Sequence, residues 1–187
     1  MKKIISSIYI KFNEKMVDEL SPYIRKNSKV LDFGCGRGFL GSLINKKLGA
    51  RVGGLDVRDS RKTNLPFTFF DGKKIPFPDN YFDIVLVSYV LHHTASIKNL
   101  LLEIKRVCRG KIIIYEDTPE NFVHRIFCWL HGNLFNIFFK IPSRCRFLPK
   151  ASWFRLFKKI QLKPLYIKNI KLFNPIYITK RTLFVVE

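Results

Sequence analysis

The chain is 187 residues long, enough for one domain with a proper core. Its 47% hydrophobic and 14% aromatic content excludes a disordered chain, which lacks the apolar side chains to offset the entropy of folding. Thirty-four Lys and Arg stand against 14 Asp and Glu, a formal net charge of +20, and such a field draws in nucleic acid, anionic lipid or acidic substrates without specifying a fold.

The abundance of Lys, Ile, Asn and Phe also matches A- and T-rich codons, so the charge alone names no partner. The excess is uneven, however. Beyond Asp117 the only acids are Glu120 and Glu187, against thirteen Lys and Arg, which makes the last third the expected contact surface. The four cysteines, Cys35, Cys108, Cys128 and Cys145, show no C-x-x-C spacing. That points away from a zinc or redox site and toward reduced thiols in a cytoplasmic protein. The opening MKKIISSIYIKFNEK has neither the sustained apolar run nor the small-residue cleavage site of a secretory signal.

In chain order, Tyr9 to Arg25 places Phe12, Met16 and Leu20 at i, i+4 spacing, which predicts an amphipathic helix ending near Ser21-Pro22. KVLDF then reads as a buried strand, Phe39 to Leu48 as a helix closed by Gly49, and RVGGLDV as a second strand. FTFFD and FDIVLVSYV follow as the third and fourth strands. Ile97 to Cys108 is a helix with Leu100, Leu101, Ile104 and Val107 on one side, and KIIIYED is the fifth strand. Nearly unbroken Ile, Val and Leu strands alternating with helices indicate a parallel sheet covered on both faces.

Residues 118–149 break the alternation with the Phe-rich PENFVHRIFCWLHGNLFNIFFKIP. Its Phe122, Ile126, Leu130, Leu134 and Phe138 keep helical spacing, while Arg125, Asn133, Asn136 and Lys140 interrupt any uniformly apolar span of the roughly 20 residues a membrane helix needs. A helix or helical pair packed on the core, or a lid or membrane-facing cap over the active site, is expected there. Ser152 to Ile160 makes one more helix, and LKPLYIKNIKL and RTLFVVE make two closing strands antiparallel to each other. The expected class is α/β: a Rossmann-like doubly wound sheet, mostly parallel with an antiparallel strand near the C-terminus, helices on both faces, in one domain spanning 1–187.

Ligands of such sheets bind outside the carboxyl ends of the strands, so LDFGCGRGFLG is the segment of interest. Gly36, Gly38 and Gly41 satisfy G-x-G-x-x-G, and Asp56 lies 20 residues beyond Gly36, as in dinucleotide-binding folds. On these residues alone NAD fits. The series also starts earlier, at Gly34, behind Asp32, which gives D-x-G-x-G-x-G. A pyrophosphate suits a helix N-terminus and is repelled by an acid. S-adenosylmethionine has no phosphate: main-chain N–H groups can take its carboxylate while Asp32 answers its ammonium. Asp56 can accept from the ribose hydroxyls of either ligand.

VLDFGCGRG, GLDV, FFDGKKIPFPDNYFDIVLVSYVLHH and KIIIYED, from about Lys29 to Glu116, together resemble the class I S-adenosylmethionine-dependent methyltransferases, in particular the small-molecule branch similar to ubiquinone and menaquinone methylating enzymes. That resemblance implies S-adenosylmethionine as cofactor and S-adenosylhomocysteine as product. It implies a methionine site shaped by Asp32, Gly34, Gly36 and Gly38, a ribose site at Asp56 with Val57 beside it, an adenine edge at Asp71 and Gly72, and Ser88 facing the reacting methyl. The plainer alternatives are that the glycines only form a turn, that Asp71-Gly72 is an ordinary turn, and that Asp83 simply starts its strand.

Methyl transfer from a sulfonium is an in-line displacement, and aligning two bound reactants can lower the barrier by roughly 7–11 kcal/mol. A base is needed only when the nucleophile arrives protonated. His92 and His93 follow the fourth strand and titrate near neutrality; by the resemblance His93 is the preferred substrate-binding residue or base. The alternative is that both cap or pack beneath the next helix. Tyr89, Glu116, Asp117, His124 and His131 are weaker candidates. Ser88-Tyr89-Val90-Leu91 is not the N-P-P-Y-like tetrad of exocyclic amine methylation, and no Pro-Cys pair offers a cytosine C5 nucleophile. Nucleic acid is therefore less favoured than a small-molecule acceptor, lipophilic or presented at an anionic membrane. RNA or protein methylation using the basic surface, and a catalytically inactive cofactor-binding protein, are the rival readings.

Overall fold

The computed structural model describes residues 2–139, 145–170 and 179–187, with side chains for all of these except 2–9, 131 and 135–139. Among the described residues seven strands are formed: β1 (Lys29–Phe33), β2 (Arg51–Asp56), β3 (Phe67–Phe69), β4 (Phe82–Ser88), β5 (Cys108–Asp117), β6 (Pro164–Ile170) and β7 (Arg181–Val186). The helices are α1 (Lys2–Leu20), α2 (Phe39–Leu48), α3 (Ile97–Val107), α4 (Phe122–Phe139) and α5 (Lys150–Lys159). The strand order is β3-β2-β1-β4-β5-β7-β6. β1 pairs parallel with β2 and β2 with β3, while β7 runs antiparallel to both β5 and β6. This is the Rossmann-like, mostly parallel sheet that the alternation of apolar runs predicts.

The chain divides into two compact units, Met1–Leu86 with Ile104–Lys111, and Val87–Glu103 with Ile112–Glu187. In the first, α1 buries Asn13, Met16, Val17 and Leu20, one helical stripe at spacings of three and four. β1 buries Val30, Leu31, Asp32 and Phe33 in succession. Consecutive burial means that both faces of the strand are covered, which is why the run is apolar rather than alternating. α2 stops at Gly49, whose left-handed φ of 68° lets its N–H reach the Asn45 carbonyl.

Asp83 is a structural clip. Its Oδ2 accepts the Lys29 N–H at 2.8 Å and its Oδ1 accepts Arg109 Nε at 2.7 Å, and these partners, the Lys29 amide foremost, hold its carboxyl below the usual range. Cys108, which the apolar spacing assigns to the preceding helix, instead opens β5. The reason is tertiary: Gly110 packs directly on the Asp83 backbone, and a Cβ there would overlap the Asp83 carbonyl oxygen. Backbone cannot step aside as a side chain can. Gly110→Ala is therefore expected to cost about 1–3 kcal/mol or more by overpacking, read as a lower midpoint in urea denaturation.

In the second unit β7 buries Leu183, Phe184, Val185 and Val186. α5 seats Trp153 and Phe157 on Phe184, with ring centroids 5.4–5.7 Å apart among the three. α5 starts at Lys150, two residues ahead of the expected Ser152. β6 is mostly exposed and carries Pro164, Lys168 and Asn169, residues that discourage pairing at a sheet edge. The expected extension of this strand through Lys171 and Leu172 lies outside the described residues. Helix α4 occupies the Phe-rich segment, of which residues 140–144 also lie outside the described residues. Among those described, no helix is long and apolar enough to cross a membrane.

Candidate cofactor and acceptor sites

β1 delivers the chain into a turn whose glycines hold left-handed backbone, with φ of 72° at Gly34, 51° at Gly36 and 75° at Gly38. Two glycines have separate physical reasons. A Cβ at Gly36 would meet nothing within 4 Å, so glycine is needed there for its backbone conformation, and space lies open beside it. At Gly41 a Cβ would fall 2.9 Å from Asp32 Oδ2 and 2.9 Å from Leu65 Cδ2. The missing side chain lets α2 approach the Asp32 carboxylate.

Asp32 is 2% exposed, and its Oδ2 has no hydrogen-bond partner among the described residues. Burial pushes its pKa up to about 7; the Gly41 main chain offsets part of this, and the Asp56 carboxylate adds to it. A buried carboxylate without a full set of partners costs free energy, and an added cation would relieve that cost. The residues present thus fit a cofactor with an ammonium group. The donor set fits a pyrophosphate poorly, because a second anion beside Asp32 would raise the cost further.

Asp56 ends β2 and ties the two strand ends together. Its Oδ2 accepts the Gly36 N–H at 2.9 Å and its Oδ1 the Val57 N–H at 2.7 Å, and a carboxylate with one bond to each oxygen retains capacity for a ribose diol. Val57 is exposed. Asp71 behaves as a turn residue: its Oδ1 accepts the Lys73 and Lys74 N–H groups at 2.8 and 3.1 Å, which hold its carboxyl below the usual range, and Gly72 follows at a φ of 83°. Cys35, inside the glycine turn, is no thiolate. Burial, with Asp32 and Asp56 adding to it, pushes its pKa up to about 12.

In the second unit, β4 ends at half-buried Ser88, and Tyr89 takes a φ of 55° with its N–H on the Tyr115 carbonyl at 2.9 Å. Left-handed backbone at a bulky residue is strained, and such strain clusters at functional sites. A 3-10 turn over Leu91–His93 follows. Here the two histidines part company. His92 is 7% exposed, its Nδ1 lies 2.7 Å from Glu116 Oε2, and its ring stacks on Phe147 at 4.4 Å. Glu116, 1% exposed at the end of β5, also accepts the Leu91 N–H through Oε1 at 2.8 Å.

Burial opposes a charged His92, but the Glu116 charge and hydrogen bond, with Asp117 beyond, outweigh it, so its pKa is raised. His93, the preferred residue from the sequence, is half-buried and has its Nδ1 3.4 Å from Cys145 Sγ. Asp117 pairs with Arg181 Nε at 3.0 Å, a structural contact between β5 and β7. His124 sits in the first turn of α4, where its N–H caps onto Asn121 Oδ1 at 2.8 Å; the side chain of His131 lies outside the described residues. Sequence reasoning ranked Glu116 low. The only available signal was an acid closing an otherwise apolar strand, and its partner stands 24 residues earlier in the chain.

The methyltransferase domain family matches residues 31–114. The ubiquinone/menaquinone biosynthesis C-methyltransferase UbiE of Cupriavidus taiwanensis is 34% identical over 108 residues, covering 50% of this chain and 44% of that protein, so the chain spans less than half the length of that relative. Among solved structures, the YcgJ protein of Bacillus subtilis is similar with a TM-score of 0.71 at 17% identity, over 94% of this chain and 97% of that one. Geranyl diphosphate methyltransferase, solved in complex with S-adenosylmethionine, is similar with a TM-score of 0.72 at 13% identity, over 95% of this chain and 84% of that one. The matched domain, the strand order and the glycine turn behind Asp32 agree: residues 31–114 match a methyltransferase domain, the sheet has the fold of class I S-adenosylmethionine-dependent methyltransferases, and UbiE-type enzymes are among the proteins the chain is similar to.

Proposed function

We propose that the chain transfers a methyl group from S-adenosylmethionine to a small, hydrophobic ring-bearing acceptor by in-line displacement. The observation that carries the reading is the buried Asp32 Oδ2, which lacks a hydrogen-bond partner among the described residues and stands beside a glycine turn with open space at Gly36. When bound, S-adenosylmethionine supplies a methyl group already activated by a sulfonium charge. Asp32 holds the ammonium, the Gly34–Gly38 turn receives the methionine part, Asp56 with Val57 beside it takes the ribose, and Asp71 with Gly72 borders the adenine. Ser88 lines the approach to the methyl.

His92 is the general base in this reading, with His93 as the acceptor-binding neighbour. The Glu116 carboxylate fixes the His92 proton on Nδ1 and leaves Nε2, which makes no hydrogen bond among the described residues, to take a proton from the acceptor. A phenolic or enolic ring that must lose a proton to become a carbon nucleophile is the acceptor class such a base serves. The relative's quinone-biosynthesis name and its C-methyltransferase activity support that class. In this reading the chain acts as one methyltransferase domain, with the segment carrying α4 as a lid or cap.

The test is incubation of the purified chain with radiolabelled S-adenosylmethionine and fractionated cell extract. Label is expected in the organic-soluble small-molecule fraction, with one S-adenosylhomocysteine formed per methyl transferred. Label confined to RNA or protein would replace this reading with the polyanion one, and cofactor binding with no turnover on any fraction would leave only a binding protein.

A further inference from the structure

Among the described residues, helix α4 is seated by one side. Cys128 is buried and its Sγ reaches Thr179 Oγ1 at 3.4 Å, Gly132 is buried against Cys145, and Phe127 and His124 are half-buried. The opposite side is apolar and open: Phe122 is 75% exposed, Trp129 64%, Val123 58%, Leu134 54%, Leu130 47% and Ile126 43%. At a helical advance of about 100° per residue these six fall within an arc of about 140°. Half-buried Asn133 also falls within this arc. Single exposed apolar residues are ordinary on a protein surface, whereas six clustered on one helix side mark an interaction site.

Charge decides what the stripe meets. Arg125 is exposed on the margin of the same helix, and Arg146, Arg155, Lys158, Lys159, Lys163, Lys168 and Lys180 are exposed in the same unit. From residue 118 onward, thirteen Lys and Arg stand against two acids. A second copy of the chain would bring the same positive charge to the contact, so the field opposes self-association, whereas an anionic surface is attracted to both the charge and the stripe. Trp is enriched at membrane–water interfaces, and Trp, Phe and Leu make up the apolar face of helices that lie in such an interface.

We propose that α4 lies in the plane of an anionic lipid surface, with Phe122, Ile126, Trp129 and Leu130 among the acyl-chain boundary and the flanking Arg and Lys on the headgroups. This docking surface holds whether or not the methyl acceptor is itself lipophilic.

The chain has two tryptophans, Trp129 at 64% exposure and Trp153 at 1%, so emission reports on α4 directly. Full-length protein is mixed with neutral phosphatidylcholine vesicles or with vesicles that also contain phosphatidylglycerol. A blue shift, quenching by brominated acyl chains, and flotation are expected with the anionic vesicles only, all weakened by salt. Trp129→Phe should lose the shift and keep flotation. Phe122→Ser combined with Trp129→Ser should weaken vesicle binding at least tenfold, because two large apolar side chains are no longer withdrawn from water, with an unchanged thermal midpoint. Equal binding to neutral vesicles, an unshifted Trp129, or concentration-dependent dimers in place of vesicle binding would each overturn the proposal.

Discussion

Asp32→Asn is expected to weaken S-adenosylmethionine by about 30-fold or more in calorimetry, because removing one partner of a desolvated charge pair costs about 2 kcal/mol at the low end. The wild-type pH dependence is the sharper readout. With the pKa of the empty site near 7, Asp32 is mostly protonated at pH 5.5 and must lose its proton to hold an ammonium. The cofactor's own α-amino group stays charged below about pH 7.7. Affinity should therefore rise about tenfold between pH 5.5 and 7, and the rise should vanish in Asp32→Asn.

The same group affects stability in the opposite sense. Its folded-state pKa lies above the unfolded value of 3.8, so as pH rises the unfolded chain gives up the Asp32 proton first. Folding of the ligand-free protein then weakens between about pH 4 and 7 and levels off above, by roughly 4 kcal/mol from this group alone. Urea denaturation at pH 5 and pH 7 should show this decline in the wild type and lack it in Asp32→Asn. A variant that binds as well as wild type with an unchanged pH profile would remove Asp32 from the cofactor site.

The second large effect concerns His92 and Glu116. His92→Ala is expected to lower kcat/KM by 10²–10⁴ on an acceptor that must lose a proton, the usual range for a positioned base, while leaving cofactor affinity within about twofold. Glu116→Gln should cost nearly as much. A Gln amide that keeps its oxygen on the Leu91 N–H presents N–H to His92 Nδ1, which moves the histidine proton to Nε2 and occupies the basic position. His93→Ala should cost far less than either, and a ranking of His93 above His92 would reverse the assignment.

The pH behaviour separates catalysis from structure in this pair. The raised pKa of His92 means that its imidazolium–carboxylate pair stabilises the fold fully below the unfolded value of 6.5, and that this contribution fades as pH rises through the folded value. Activity needs the neutral ring and should grow over that same rise. A residue with a merely structural role would lower stability and activity together at every pH, without shifting the acid limb of the rate profile.

Much of this was legible in the chain itself, because the signals are local. KVLDF, Phe39–Leu48 and the FDIVLVS run formed the elements that their apolar periodicity predicts, since a strand covered on both faces must be apolar throughout and a half-covered helix must be apolar on one stripe. The glycine turn and the acid before it were equally local, as short-range backbone geometry allows only certain residues there. What tertiary structure decided involves partners far apart in sequence: Cys108 moving into β5 because Gly110 meets Asp83, Asp32 left without a partner on Oδ2 among the described residues, Glu116 reaching back 24 residues to His92 Nδ1, and α4 turning Cys128 inward and Trp129 out. Periodicity along the chain records that a residue is to be buried; only the folded contacts determine what it is buried against, and burial with or without a partner is what sets charge, pKa and reactivity.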